Sequence, residues 1–297
     1  MAPEVPPRQL AIGYVSALAT VAIWAGFILI SRLGGKSALT GWDIVALRLG
    51  TAAVILLPLS LKLPAGTWRD ARLWTLAFIG GLLFLILAYA GFKLAPAAHG
   101  GILMPGMQPF LVTALAWLLL GTRPPRQRVL ALMPIALGVA CVAYPVVTGA
   151  HLGPSTLPGD LLLLGAGLAW ATYSVLVKKW VYDAWLLTRF VALASTLMFM
   201  PVYLLWLPKG LDQVPASMLV LQALYQGIGP TIVAMILFLK AVSILGAERM
   251  GALVALVPVL AGLGAVPLLD EPLTPWLVAG LALVSTGAWL ASRPVRH

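Results

Sequence analysis

A helix needs about 17 to 25 mostly apolar residues to cross the hydrocarbon of a bilayer. This chain offers ten stretches of that kind, over residues 10–30, 42–61, 73–92, 97–120 and 129–145, then 158–177, 185–207, 215–239, 246–269 and 275–291. Turn-forming clusters separate them: Gly34-Gly35-Lys36, Pro64-Ala65-Gly66, Arg123-Pro124-Pro125, Gly153-Pro154 and Pro208-Lys209-Gly210. The longest connection, residues 146–157, divides the stretches five and five. Residues 1–9, with Pro3, Pro6 and Pro7, read as a disordered tail, and 292–297 as a second tail. The first stretch is too long for the core of a cleavable signal peptide and more spans follow it directly.

The two fives are copies. Leu18-x5-Trp24-Ala25-x-Phe27, ending at Arg32, answers Leu164-x5-Trp170-Ala171-x-Tyr173, ending at Lys178. Phe92-Lys93 answers Leu239-Lys240, and Pro109, Leu119-Leu120, Leu132 and Gly138 answer Pro258, Leu268-Leu269, Leu281 and Gly287, at offsets of 146 to 149 residues. An ordered series at a nearly constant offset marks a duplicated structural unit. Because each copy holds an odd number of spans, the second enters the membrane from the opposite side, as in many transporters. The expected domains are a first repeat at 10–145, a linker at 146–157 and a second repeat at 158–291.

Composition agrees with this reading. Hydrophobic residues make up 61% of the chain and charged ones only 9%, against about 25% charged in a soluble domain. The net charge of +10 comes from Lys and Arg scattered singly through short loops, so it points to membrane orientation and not to nucleic acid. If both termini are cytoplasmic, twelve basic residues lie inside (Arg8, Lys62, Arg69, Arg72, Arg123, Arg126, Arg128, Lys178, Lys179, Lys240, Arg293, Arg296) and four outside (Arg32, Lys36, Lys93, Lys209). That excess predicts N-in, C-in topology in a cell inner membrane. The single Cys141 excludes a disulfide framework.

Ten spans in two inverted fives, a Trp late in the first helix of each half, and the stretches Ile23-Trp24-Ala25-Gly26, Ala169-Trp170-Ala171-Thr172-Tyr173, Leu118-Leu119-Leu120-Gly121-Thr122 and Leu268-Leu269-Asp270-Glu271-Pro272 resemble the drug/metabolite transporter superfamily. Within it the chain is similar to EamA-type members with two EamA repeats, and among those to YddG-type exporters of aromatic amino acids. The resemblance implies an all-α membrane protein, a basket of helices around a central cavity, that performs secondary transport. That family commonly shows Leu-Gly-Glu after the fourth helix of a repeat. The second copy keeps Glu271 and the first has Thr122, so the acid is not required by both halves.

Cavities in such proteins lie near the midplane, where helices are interrupted. The fourth span carries Pro105 and Pro109, the eighth Gly229-Pro230, and the ninth Pro258; these are the expected kinks, although Gly and Pro also serve close packing in membrane helices. Trp24 and Trp170 fall close to the middle of their spans, where an indole N–H needs a polar partner or a ligand. Other Trp residues near span ends read as interfacial belt. Phe84, Tyr89, Met104, Gln108, Tyr173, Tyr225 and Gln226 are the remaining candidates for an aromatic pocket with a few hydrogen-bonding points, though each could equally bond a neighbouring helix. His99 and Glu248 are repeat-equivalent, and His99 joins the pocket candidates while Glu248 and Arg249 are candidates for charge coupling or simple interfacial residues. Arg48 and Arg189 read as snorkelling or as pairing locally with Asp43 and Asp183.

Such a lining suits an amphipathic metabolite, amino acids first, moved outward by a monomer without metal or cofactor. Nucleotide-sugar or organophosphate exchange would need several basic residues in the cavity, for which only Arg249 and Lys240 are placed; a broader drug/metabolite exporter is the other transport reading. A membrane-embedded enzyme would need clustered His, Asp or Cys, which three His residues cannot supply.

Overall fold

The computed structural model describes residues 6–148 and 156–293; the first tail up to residue 5, the middle of the inter-repeat connection and the end of the second tail lie outside them. Among the described residues the architecture is all-helical, with ten membrane-length segments: α1 Pro7–Lys36, α2 Gly41–Ser60, α3 Ala71–Leu94, α4 Ala97–Leu120, α5 Arg126–Val147, α6 Leu157–Trp180, α7 Ala184–Trp206, α8 Ala216–Leu245, α9 in two pieces (Ala247–Val254 and Val257–Leu269) and α10 Pro275–Ala291.

Local chemistry sets the boundaries. Pro7 opens α1, where its missing N–H costs nothing, so the helix starts inside the stretch expected to be disordered tail. Thr40 and Asp43 cap α2 reciprocally, and Asp183 and Thr274 accept from Leu186 and Leu277 at the starts of α7 and α10. Gly121 ends α4 in the left-handed conformation that glycine adopts freely.

Three helices widen into π turns, over Ala77–Leu83 in α3, Ile102–Gly106 in α4 and Gly229–Val233 in α8. A widened turn frees backbone carbonyls, and these need partners in a membrane. Ser195 of α7 donates to Ala77 O at 2.9 Å, and Thr231 donates to Gln226 O at 3.0 Å.

The packing has the symmetry of the repeat. Helix α3 lies on α6 as α8 lies on α1; α4 lies on α6 as α9 lies on α1; and α7 meets α3 as α2 meets α8. The pairs α2–α7 and α5–α10 close on themselves. Helices α1 and α6 run in opposite senses, so Arg32 and its counterpart Lys178 lie at opposite faces of the bundle, hereafter the Arg32 face and the Lys178 face. Around this interior, apolar side chains such as Val54 (73% exposed), Leu118 (75%) and Leu161 (60%) point outward, as a lipid-facing surface requires.

Candidate substrate pathway

At the Arg32 face four helix ends are tied together. Helix α1 runs six residues past the predicted span end, to Lys36, and carries Arg32 into the bundle. Arg32 Nε donates to Glu271 Oε1 at 2.6 Å and Nη1 donates to Phe92 O at 2.7 Å, while Glu271 Oε2 accepts from Ala97 N, at the start of α4, at 2.8 Å. Lys36 donates to Leu269 O. The acid that seemed dispensable on sequence thus ties α1 of one repeat to the α9–α10 turn of the other. Its counterpart Thr122 is exposed and bonds its own helix, at Ala116 O, and Lys178 is exposed.

The same imbalance extends along α4 and α9. On the Arg32 side, Val257–Leu269 buries Val257, Pro258, Ala261, Gly262, Ala265 and Leu269. Its repeat-mate on the Lys178 side, Gln108–Leu120, buries no residue. Loops on the Lys178 face are joined by Tyr182, whose hydroxyl donates to Asp70; that hydrogen bond, ahead of any charge effect, holds the Asp70 carboxyl below its usual range.

Halfway through the bundle both helices break. Met107 and Leu256 leave the helical hydrogen-bond ladder with nearly identical backbones (φ −80°, ψ −7° and φ −78°, ψ −17°). Pro109 and Pro258 each then occupy the first turn of a new helical piece, so they mark helix starts and not kinks within a continuous helix. Pro258 packs on α4: a Cβ added to Gly101 would lie 3.1 Å from Pro258 Cα. Pro105 and the Gly229-Pro230 pair lie within the π turns of α4 and α8.

Trp24 and Trp170 stand about 4 Å and about 2 Å past the midpoints of α1 and α6. Both are half-buried, and each leans on the helix it packs against: Trp24 on Phe238 of α8 at 5.4 Å, Trp170 on Phe84 of α3 at 5.2 Å. Neither indole N–H bonds any described residue. Tyr173 extends the second cluster, 5.2 Å from Trp170, over Gly80 in the π turn of α3, where a Cβ would strike its ring. Gln108 Nε2 donates to Gly167 O at 2.9 Å, filling the carbonyl side of the α4–α6 contact beside that cluster.

The other predicted residues have fixed protein partners. Tyr225 Oη donates to Ile23 O at 3.1 Å and sits where any side chain on Gly26 would be, clamping α8 to α1. Met104 is buried in the core. Tyr89 is fully buried and edge-on to Phe27. Gln226 is fully buried; its Nε2 donates to Ser31 Oγ at 3.1 Å, and its Oε1 has no partner among the described residues. His99, 4% exposed, faces Asp160 of α6 with Nδ1 2.7 Å from Oδ1. His99 also lines a cavity of about 360 Å³ beside the Arg32–Glu271 pair, with Cys141, Ala265 and Trp276; none of the other predicted pocket residues does. Arg249 is exposed, and the Glu248 side chain lies outside what the structure describes.

Of the two sequence readings of Arg48 and Arg189, snorkelling or local pairing, the pairing fails. Neither Arg48 nor Arg189 pairs with the carboxylate near it in sequence. Asp43 is fully buried and accepts from Thr40, Gly210 N and the Tyr203 hydroxyl, at 2.6 to 3.0 Å. Asp183 caps its own helix, and Arg189 bonds Trp185 O and Leu59 O. Arg48, which sequence reasoning left out of the site, turns inward to Phe27 and Tyr89. Its signal was a charge seven residues inside a span.

A model of the EamA-like transporter family matches residues 11–144 and, a second time, 157–293. None of the curated proteins matches the chain. Among solved structures 18 chains match. One of them, a crystal structure, is 22% identical over 97% of both chains with a TM-score of 0.61, and at that identity it shows the fold.

Proposed function

Because the chain belongs to the EamA-like transporter family, we propose that this multi-pass membrane protein exports small amphipathic metabolites, amino acids including aromatic ones, by alternating access. The observation that carries this reading is the unequal packing of repeat-equivalent parts. Val257–Leu269 is buried and the Arg32–Glu271 pair is made, while Gln108–Leu120 and Lys178 are not buried. Two inverted repeats that pack differently at opposite faces suit a carrier open on one side.

The excess of basic residues favours a cytoplasmic Lys178 face, and on this reading the membrane is the cell inner membrane. In this conformation substrate enters from the cytoplasm and waits at the level of Trp24 and Trp170. Breaking the Arg32–Glu271 pair then opens the outer face. Aromatic rings at 5.2 Å spacing with one amide at Gln108 favour a ligand with an apolar body and a polar head. Lys240 and Arg249 are both exposed and neither lines the cavity beside the Arg32–Glu271 pair, so the aromatic lining remains the better support for an amphipathic ligand over a phosphate.

Proteoliposomes loaded with labelled Phe, Trp, Thr or Met test the proposal. Protein-dependent release of at least one of them is expected. Release of other solutes without any amino acid would overturn the substrate class, and a reporter in the connection between α5 and α6 that proves cytoplasmic would overturn the orientation.

A further inference from the structure

Arg48 lies seven residues into α2, about 10 Å below its Arg32-face end. The side chain is half-buried in the layer under the Arg32–Glu271 seal. Its Cζ sits 5.1 Å from the centre of the Phe27 ring, and Nη1 donates to Tyr89 Oη at 3.3 Å. A guanidinium has five N–H donors, and Arg48 uses one of them on a described residue, through a long bond.

The ion pairs among the described residues are Arg32–Glu271 and His99–Asp160, so Arg48 has no carboxylate partner there. Asp43, the nearest acid in sequence, is fully engaged by Thr40, Gly210 and Tyr203. A cation held inside a membrane protein without a counter-ion is costly, and such residues mark ligand paths. An aromatic face compensates only in part. By contrast, every group that meets Arg32 is anionic or a carbonyl oxygen.

We infer that Arg48 is the anchor for the carboxylate of the transported solute. A guanidinium grips a carboxylate through two parallel hydrogen bonds, which fixes orientation as well as charge. From Phe27 the rings of Phe84 (6.2 Å) and then Trp170 (5.2 Å further) lead toward the middle of the bundle. A monocarboxylate with an aromatic or apolar body, held head-up at Arg48, would lay that body along them. This rests on the transport reading above and narrows its substrate class to carboxylates.

The test compares L-phenylalanine with L-phenylalaninamide, which differ only in the carboxylate. Binding to the purified protein is followed by intrinsic tryptophan fluorescence, and export is followed separately in proteoliposomes. The wild type is expected to bind the acid roughly tenfold or more tightly than the amide. Arg48→Gln should bring that ratio close to one, and Arg48→Lys should leave it in between. Equal binding of acid and amide by the wild type, no binding of either, or a full preference kept by Arg48→Gln overturns the anchor. The wild-type comparison needs no variant to fold. Discrimination by Arg48 without any export would keep the anchor and overturn the transport reading instead.

Discussion

Arg32 Nε lies 2.6 Å from Glu271 Oε1, and the pair joins the two repeats at one face of the bundle only. Both side chains are largely shielded, at 16% and 11% exposure, so the contact is charge-assisted with little screening. Glu271→Gln keeps the shape but only one of the two acceptor oxygens, so one bond loses its charge assistance and the other is replaced by an NH2 group facing a donor. The expected shift toward an open Arg32 face is about 1–2 kcal/mol, close to tenfold in population. Ala265 is buried beneath the pair. In a Cys141→Ser background, a cysteine placed at Ala265 should react faster with an impermeant maleimide, applied from the Arg32 face, when Glu271→Gln is added. An unchanged rate would show that the pair does not hold that face shut.

Among the described residues, the indole N–H groups of Trp24 and Trp170 have no partner at mid-bundle, while their rings lean on Phe238 and Phe84. On the proposed transport path their value to a solute would be stacking, about 0.5–1.5 kcal/mol per ring beyond burial. Trp24→Ala and Trp170→Ala should each slow efflux by roughly three- to tenfold, with Trp→Phe replacements milder. Thermal stability measured alongside separates the two roles. Full efflux from a well-folded Trp170→Ala protein would remove Trp170 from the path.

Sequence reached the helices more readily than the contacts between them. Helices α4 and α10 begin and end at the expected residues, because Pro96, Gly121, Thr274 and Pro275 are local signals. Helix α1 overran its expected end because Arg32 and Lys36, read as loop charges, find Glu271, Phe92 O and Leu269 O across the bundle. Nothing local in the sequence specifies those partners. Pairing Arg48 with Asp43 failed for the same reason: the carboxylate's true partners, Tyr203 and Gly210, are 160 and 167 residues away. The repeat was legible, and the breaks at Met107 and Leu256 each lie two residues before the repeat-mates Pro109 and Pro258. Where the halves differ, at Thr122 and Glu271, sequence marked the place and the structure supplied the consequence.

His99 is an ionisable group at the start of a span, and its Nδ1 is taken by Asp160, which also accepts from Thr156. The geometry favours holding α4 against α6 over touching a solute. Removing the ring leaves a nearly buried carboxylate short of a partner, at a cost of about 1–3 kcal/mol. His99→Ala should therefore lower the melting temperature while leaving the apparent substrate affinity of the surviving protein unchanged. The reverse, a changed affinity at unchanged stability, would restore His99 to the binding site.

Pro258 begins the tightly packed piece of α9 against Gly101 and Gly106 of α4, while its repeat-mate Pro109 is only half-buried. A proline two residues past a break supplies no N–H to rejoin the ladder, so the two pieces of the helix stay mechanically separate. Pro258→Ala restores that N–H with a side chain small enough for the site. The unfolded chain gains freedom, which costs about 0.4–1 kcal/mol of stability, a loss the fold can bear. The larger effect should be kinetic: with α9 free to run through Leu256, the two pieces can no longer tilt independently, and efflux slows although binding persists. Pro109→Ala acts on the loosely packed side and should slow efflux less. Equal binding with reduced turnover in Pro258→Ala, read from fluorescence titration and proteoliposome efflux on the same preparation, would bear this out. Wild-type turnover in both proline variants would show that the breaks at Met107 and Leu256 are not hinges.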